Sequence, residues 1–354
     1  MDLKILFFSV VIGVLGCNNS QSPTPTSTTN ETKNEQIAQQ LNKVLAKYEQ
    51  APQKFNVSAQ KPSSVKGKQG TVIFINPDDL TTTNGEAVSG SIEVELKELT
   101  NQKQLLNANA TTSSNGKLLV SGGAYYINMS AAGKPLKLKS GKTLSVEFPQ
   151  ITTEKMGLFY GQRDSLGNLN WVESNQKFQS QPIKNSTEEN KQKATTTEKK
   201  TDLEEILDYV ESDSNYAPVS QSTRRKWAME SKIYQAIQLN SLGWINCDRF
   251  LENTNNTNLL VNFNPADSVE NSNLYLIFRD INSVISSFYN VSATTNETFN
   301  NIPIGYKVQL VAYAIKDEKI WLHNSQFTVQ ANQNITLTMK ETNEQELAKI
   351  FANR

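Results

Sequence analysis

The chain has 354 residues, 35 Lys+Arg against 35 Asp+Glu, one His and two Cys. That length exceeds what one ordinary core organises and predicts two domains. Zero formal charge argues against a chain-wide basic field for nucleic acid, and so few His and Cys argue against a multi-His metal centre or a disulfide framework. No metal, cofactor or nucleic-acid partner is therefore expected. Asn occurs 39 times, and with abundant Ser and Thr it competes with the helix backbone for hydrogen bonds, favouring strands and turns.

At the start, Lys4 precedes an apolar run over 5–15 that only Ser9 and Gly13 interrupt. The run is shorter than the roughly 20 residues a spanning helix needs and reads as the core of an export signal. It ends in Val14-Leu15-Gly16-Cys17, which resembles the lipobox of bacterial lipoproteins. The resemblance implies removal of residues 1–16, acylation of Cys17 and a membrane-lipid partner, since several acyl chains give lasting anchorage. Asn18 follows, where the family's inner-membrane retention signal usually has Asp, so the resemblance implies the outer membrane.

Residues 17–34 lack any large apolar group after the Cys and should form a flexible tether. Ile37, Leu41, Val44, Leu45 and Tyr48 recur at helical spacing, predicting a short helix within 35–52 that Pro52 closes. From 53 to 178 the pattern is β. Val72-Ile73-Phe74-Ile75 is a short apolar run closed by Asn76-Pro77-Asp78, and Ile92, Val94 and Leu96 alternate with Glu93, Glu95 and Lys97. Asn115-Gly116, Gly122-Gly123, Gly133 and Ser140-Gly141 punctuate further short strands, and a hairpin is expected about Ser165-Leu166-Gly167-Asn168. The stretch Gly67-Lys68-Gln69-Gly70-Thr71, with Lys139-Ser140-Gly141-Lys142-Thr143-Leu144-Ser145-Val146-Glu147-Phe148-Pro149, resembles the ZU5-like β-sandwich of bacterial surface proteins.

Residues 179–215 read as a low-complexity linker carrying one short helix, in which Leu203, Ile206, Leu207 and Val210 share a face. A second sandwich is expected over 216–340. There Leu274, Leu276 and Phe278 share one strand face, Tyr306, Val308 and Leu310 another, and Pro303-Ile304-Gly305 turns between strands. This part resembles the carboxypeptidase regulatory-like or transthyretin-like sandwich. The string Leu242-Gly243-Trp244-Ile245-Asn246-Cys247-Asp248-Arg249-Phe250 resembles a segment of uncharacterised outer-membrane lipoproteins, which implies an address but no reaction. Leu347, Ile350 and Phe351 predict a terminal helix within 341–354 that packs back on the sandwich. The expected fold is thus mainly β: two β-sandwich domains joined by a low-complexity linker, with a few short helices.

Catalytic constellations fail one by one. The single imidazole, His323, could pair with Cys247, but the bulky apolar neighbours of Cys247 predict a buried, inert thiol instead. Ser63–Lys66 and Ser114–Lys117 have Ser-x-x-Lys spacing without a helix or a Lys-Thr-Gly companion. Ser140-Gly141-Lys142-Thr143 ends like a phosphate loop, yet Leu136 stands where its first Gly belongs. Asp78-Asp79 could bind Ca²⁺ but fit a capped turn better, and Arg224-Arg225-Lys226 reads as a solvated face. Asp164-Ser165-Leu166 and Asp267-Ser268-Val269 match a short O-glycosylation pattern. Trp244, Asn246 and Asp248 fall on one face of an extended segment, where an aromatic plate beside two polar side chains would suit a sugar ring. The leading expectation is a lipid-anchored, non-catalytic binding or structural module whose partner is an envelope protein or polysaccharide. The alternatives are glycan binding through Trp244 and a glycoside hydrolase using paired carboxylates, which spacing alone leaves open.

Overall fold

The computed structural model describes residues 27–152, 154–165, 167–176, 178–179, 233–252, 255–267, 269–290 and 296–352. The export signal, Cys17, the helix expected over 202–211, the basic run at 224–226 and both Leu166 and Ser268 lie outside these residues. What is described is mainly β, with two pairs of facing sheets.

In the first pair, the strands Gln53–Ser58, Ser91–Leu99, Lys117–Ala131, Gly243–Phe250, Gly157–Arg163 and Leu169–Glu173 lie side by side in that order. A second sheet of five strands, among them Val72–Ile75, Leu144–Pro149 and Ile233–Leu239, faces it. The alternation at Ile92, Val94 and Leu96 turns all three inward to full burial, against Ile73, Ile75, Val146 and Phe148 of the opposite sheet. Asn115-Gly116 forms a hairpin turn with both φ positive, as the sequence predicts. Gly122-Gly123 does not separate two strands. It lies inside the continuous strand Lys117–Ala131, where the pairing with Gly243–Phe250 shifts register.

The expected boundary at 216 is displaced. The consecutive strands Ile233–Leu239 and Gly243–Phe250 both belong to the first sandwich, one in each sheet. After Leu169–Glu173 both sheets still present an open edge or gap there: Gly157–Arg163 pairs with Leu169–Glu173 on one side only, and the returning chain supplies the other neighbour. The alternation over 243–250 marks a strand, but a partner more than a hundred residues distant leaves no local trace.

The second pair runs from Asn256 onward. The strands Asn296–Pro303, Asn256–Phe263 and Asn334–Leu337 form one sheet; Val284–Asn290, Asn271–Phe278, Lys307–Lys316, Lys319–Thr328 and Lys340–Thr342 form the other. Leu274, Leu276, Phe278, Val308 and Leu310 fill the core between them. The turn at Pro303-Ile304-Gly305 carries the chain from the first of these sheets to the second, with Gly305 at positive φ.

Helices cover the outer face of that second sheet. The first helix spans Ser27–Ala46, so it starts within the segment expected to be a tether. Once a turn is nucleated, each added residue gains a hydrogen bond, and the helix runs back from its packed face into polar sequence. Leu41, Val44 and Leu45 meet Tyr275, Val311 and Tyr313, and the terminal helix Glu344–Phe351 adds Leu347 and Phe351 to the same cluster. Both faces of Asn271–Phe278 are therefore covered, and seven of its residues, Ser272 to Phe278, are buried.

Candidate functional site

The two sandwiches meet through the backbone. Thr112 N donates to Val284 O at 2.6 Å and Ser121 N to Asn282 O at 2.9 Å. Val284 N donates back to Thr112 Oγ1 at 2.9 Å, and Asn282 Nδ2 to Ser121 O at 3.0 Å. Gln102, at the start of the short helix Gln102–Asn107, donates from Nε2 to the carbonyls of Phe278 and Ile281. Asn101 caps that helix, its Oδ1 accepting from Gln104 N at 3.0 Å. Pairings of this kind fix the relative position of two walls more tightly than exposed side chains do.

Beside this seam lies an open cleft of about 550 Å³. One wall carries Asn101 and Ser121, the other Arg279 and Asp280, and Ile151 and Met156 supply apolar surface. Arg279 Nη1 reaches Gln309 Oε1 at 3.3 Å, and Asp280 Oδ2 accepts Lys307 N at 2.8 Å, so both loop residues are held by the following strand. Ile151 is 41% exposed, one of the few large apolar side chains left open among the described residues. The lining mixes amides, hydroxyls, one cation and one anion with aliphatic groups, which suits a polar ligand with apolar faces.

Ser121 connects the cleft to a buried polar trio. Its Oγ donates to Asn246 Oδ1 at 3.3 Å and accepts Gly123 N at 3.1 Å; Asn246 Nδ2 donates to Asp248 Oδ2 at 2.5 Å. Asp248 Oδ1 makes no hydrogen bond. Burial pushes the Asp248 carboxyl well above the usual carboxylate range, against the opposing pull of Ser121, Asn246 and the Gly122 amide.

Trp244, Asn246 and Asp248 do share one strand face, the one away from the first core, but it is covered. Asn246 and Asp248 have no exposed surface, so they cannot meet a sugar in solution. Trp244 is half-buried, packed against Tyr126 and Trp171 at ring distances of 5.1 and 6.5 Å, with the Arg163 guanidinium 4.7 Å above its ring. The hydroxyl and amide groups that line the cleft carried no motif in the sequence; only the pairing of distant loops collects them.

Cys247 points to the opposite face, into the first core, fully buried. Burial first, and Asp248 second, push its thiol up. His323 lies on Lys319–Thr328 in the second sandwich, its Nδ1 accepting Thr338 N at 3.2 Å and its Nε2 2.9 Å from Ser325 Oγ. Burial lowers its pKa. The structure does not bring the two together. Asn76 caps the turn at Pro77–Asp79, and Asp79 pairs with Lys142 at 2.8 Å. Among the described residues no three His, Cys, Asp or Glu side chains converge as metal ligands, and no helix is long and apolar enough to cross a membrane. In comparison with known proteins, no family model, curated protein or solved structure matches this chain.

Proposed function

We propose that this chain is a lipid-anchored cell-envelope protein, held through Cys17 in the outer membrane, whose two sandwiches form a non-catalytic binding module. The observation that carries the reading is the cleft between them, with walls fixed by backbone hydrogen bonds and a lining of hydroxyl, amide and aliphatic groups. A neutral polysaccharide offers the matching chemistry: hydroxyls for Asn101 and Thr152, and C–H ring faces for Ile151 and Met156. The cleft therefore replaces the Trp244 face as the place where a glycan would sit. The ZU5-like and transthyretin-like resemblances are consistent with such a scaffold, which carries function in its loops.

The test is a glycan array probed with detergent-solubilised full-length protein, alongside Ile151→Ser and Arg279→Ala. Saturable binding to a neutral glycan that drops tenfold or more in these variants supports the reading. Binding indifferent to both, or hydrolytic turnover that a single Asp or Glu substitution abolishes, overturns it.

A further inference from the structure

We propose that Ser121 and Asn246 become joined by an intramolecular ester bond, formed by the folded chain itself with Asp248 relaying the proton. The reactants are already assembled. A hydroxyl, a carboxamide and a carboxyl lie within hydrogen-bond reach of one another, at 3.3 Å from Ser121 Oγ to Asn246 Oδ1 and 2.5 Å from Asn246 Nδ2 to Asp248 Oδ2. Ser121 is 3% exposed and the other two are sealed completely. The two residues sit on neighbouring strands, Ser121 opposite Asp248 in the register and Asn246 two residues before it.

The local backbone is shaped around this trio. The register shift between Asn246 and Asp248 faces Gly122-Gly123, and neither glycine tolerates replacement. A Cβ on Gly122 would come within 2.6 Å of Cys247 O, and Gly123 has φ +116°. The bulge places Gly123 N on Ser121 Oγ at 3.1 Å, which orients the hydroxyl. Asp248 Oδ1 accepts no hydrogen bond and is free to receive a proton.

The step balances without an added reagent. Ser121 Oγ attacks Asn246 Cγ, and the Oγ proton passes through the Asp248 carboxyl to Nδ2. The Oγ–Cγ bond forms, the Cγ–Nδ2 bond breaks, ammonia leaves, and Asp248 returns to its initial state. Exclusion of water protects the product from hydrolysis and the escape of ammonia makes the step one-way. The bond would tie together residues 125 apart in sequence, and among the described residues no disulfide does this, Cys247 being free. Closing a long loop restricts the unfolded chain as a disulfide would.

A tryptic map of the full-length protein, run under denaturing conditions, decides the matter. The expected result is one species containing the Ser121 and Asn246 peptides joined, about 17 Da below their sum for the lost ammonia. Mild alkali should split it and leave Asp at position 246. Ser121→Ala should abolish the joined species, and Asp248→Asn should reduce its yield at least tenfold. Separate recovery of both wild-type peptides at full mass overturns the ester, and an undiminished yield in Asp248→Asn overturns the role of the carboxyl. The wild-type map is decisive even where a variant fails to fold.

Discussion

Glu98 shows how a single side chain can hold a loop. It is 3% exposed; its Oε1 accepts Thr71 N at 3.0 Å, and its Oε2 accepts Gln69 N at 2.9 Å and Gln53 Nε2 at 2.7 Å. The loop passes so close that a Cβ on Gly67 would fall 2.6 Å from the carboxylate. Glu98→Ala strands three donors, and at roughly 1–3 kcal/mol each, partly relieved by entering water, a loss of about 3–5 kcal/mol is expected in urea denaturation. In sequence Glu98 has the same parity as Ile92, Val94 and Leu96, so the alternation puts its carboxylate on the buried face. What the alternation leaves unread is that the Gly67-Lys68-Gln69-Gly70-Thr71 loop closes over that position and supplies the donors that satisfy a buried carboxylate. The same limit applies at Asn246 and Asp248: a period of two assigns a residue to a face, but nothing local tells whether another layer covers that face.

Asp248 also carries a pH signature. Its carboxyl is held above the usual range by burial. Above the ordinary carboxylate pKa of about 3.9, the unfolded chain has released a proton that the folded chain still holds. Folding stability must then fall as pH rises from there towards the raised folded value. Urea midpoints at pH 5 and pH 8 should show this decline in the wild type and a smaller one in Asp248→Asn. An equal decline in both would place the carboxyl's titration at its ordinary value.

Among the elements, the helices are the most informative. The spacing of Ile37, Leu41, Val44 and Leu45 predicts the first helix, and that of Leu347, Ile350 and Phe351 the last, because amphipathic periodicity needs only local sequence. Their partners are not written there. Both pack on the same outer sheet face, and the short helix Gln102–Asn107 joins them: Asn107 Nδ2 donates to Tyr48 O at 3.1 Å and to Phe351 O at 2.7 Å. Phe351 is fully buried against Tyr48 and Tyr313, at ring distances of 5.7 and 5.9 Å. Phe351→Ala should cost about 3–5 kcal/mol, read as a lowered urea midpoint. A loss below about 1 kcal/mol would mean that the terminal helix is frayed rather than docked.

For the molecule as a whole, turn spacing and strand alternation predict the mainly β architecture, since both are short-range signals. They misplace the division between the sandwiches, because a shift in composition does not tell into which sheet the following strands insert. The proposed anchor belongs to this scale too. Cys17→Ser should leave the protein as uncleaved precursor or release it from the membrane fraction, as the acyl chains are the hold on the bilayer that the sequence offers. Equal membrane retention of an exported, processed Cys17→Ser protein would contradict it.

The central claim is that the seam between the sandwiches is where this protein binds its ligand. Hydrogen exchange of the full-length protein, with and without the strongest neutral glycan from the array, tests it most directly. The account predicts slowed exchange concentrated at 100–102, 151–156 and 279–282, the segments that line the cleft. Protection centred instead on the strand around Trp244, or no protection at saturating glycan, would contradict it.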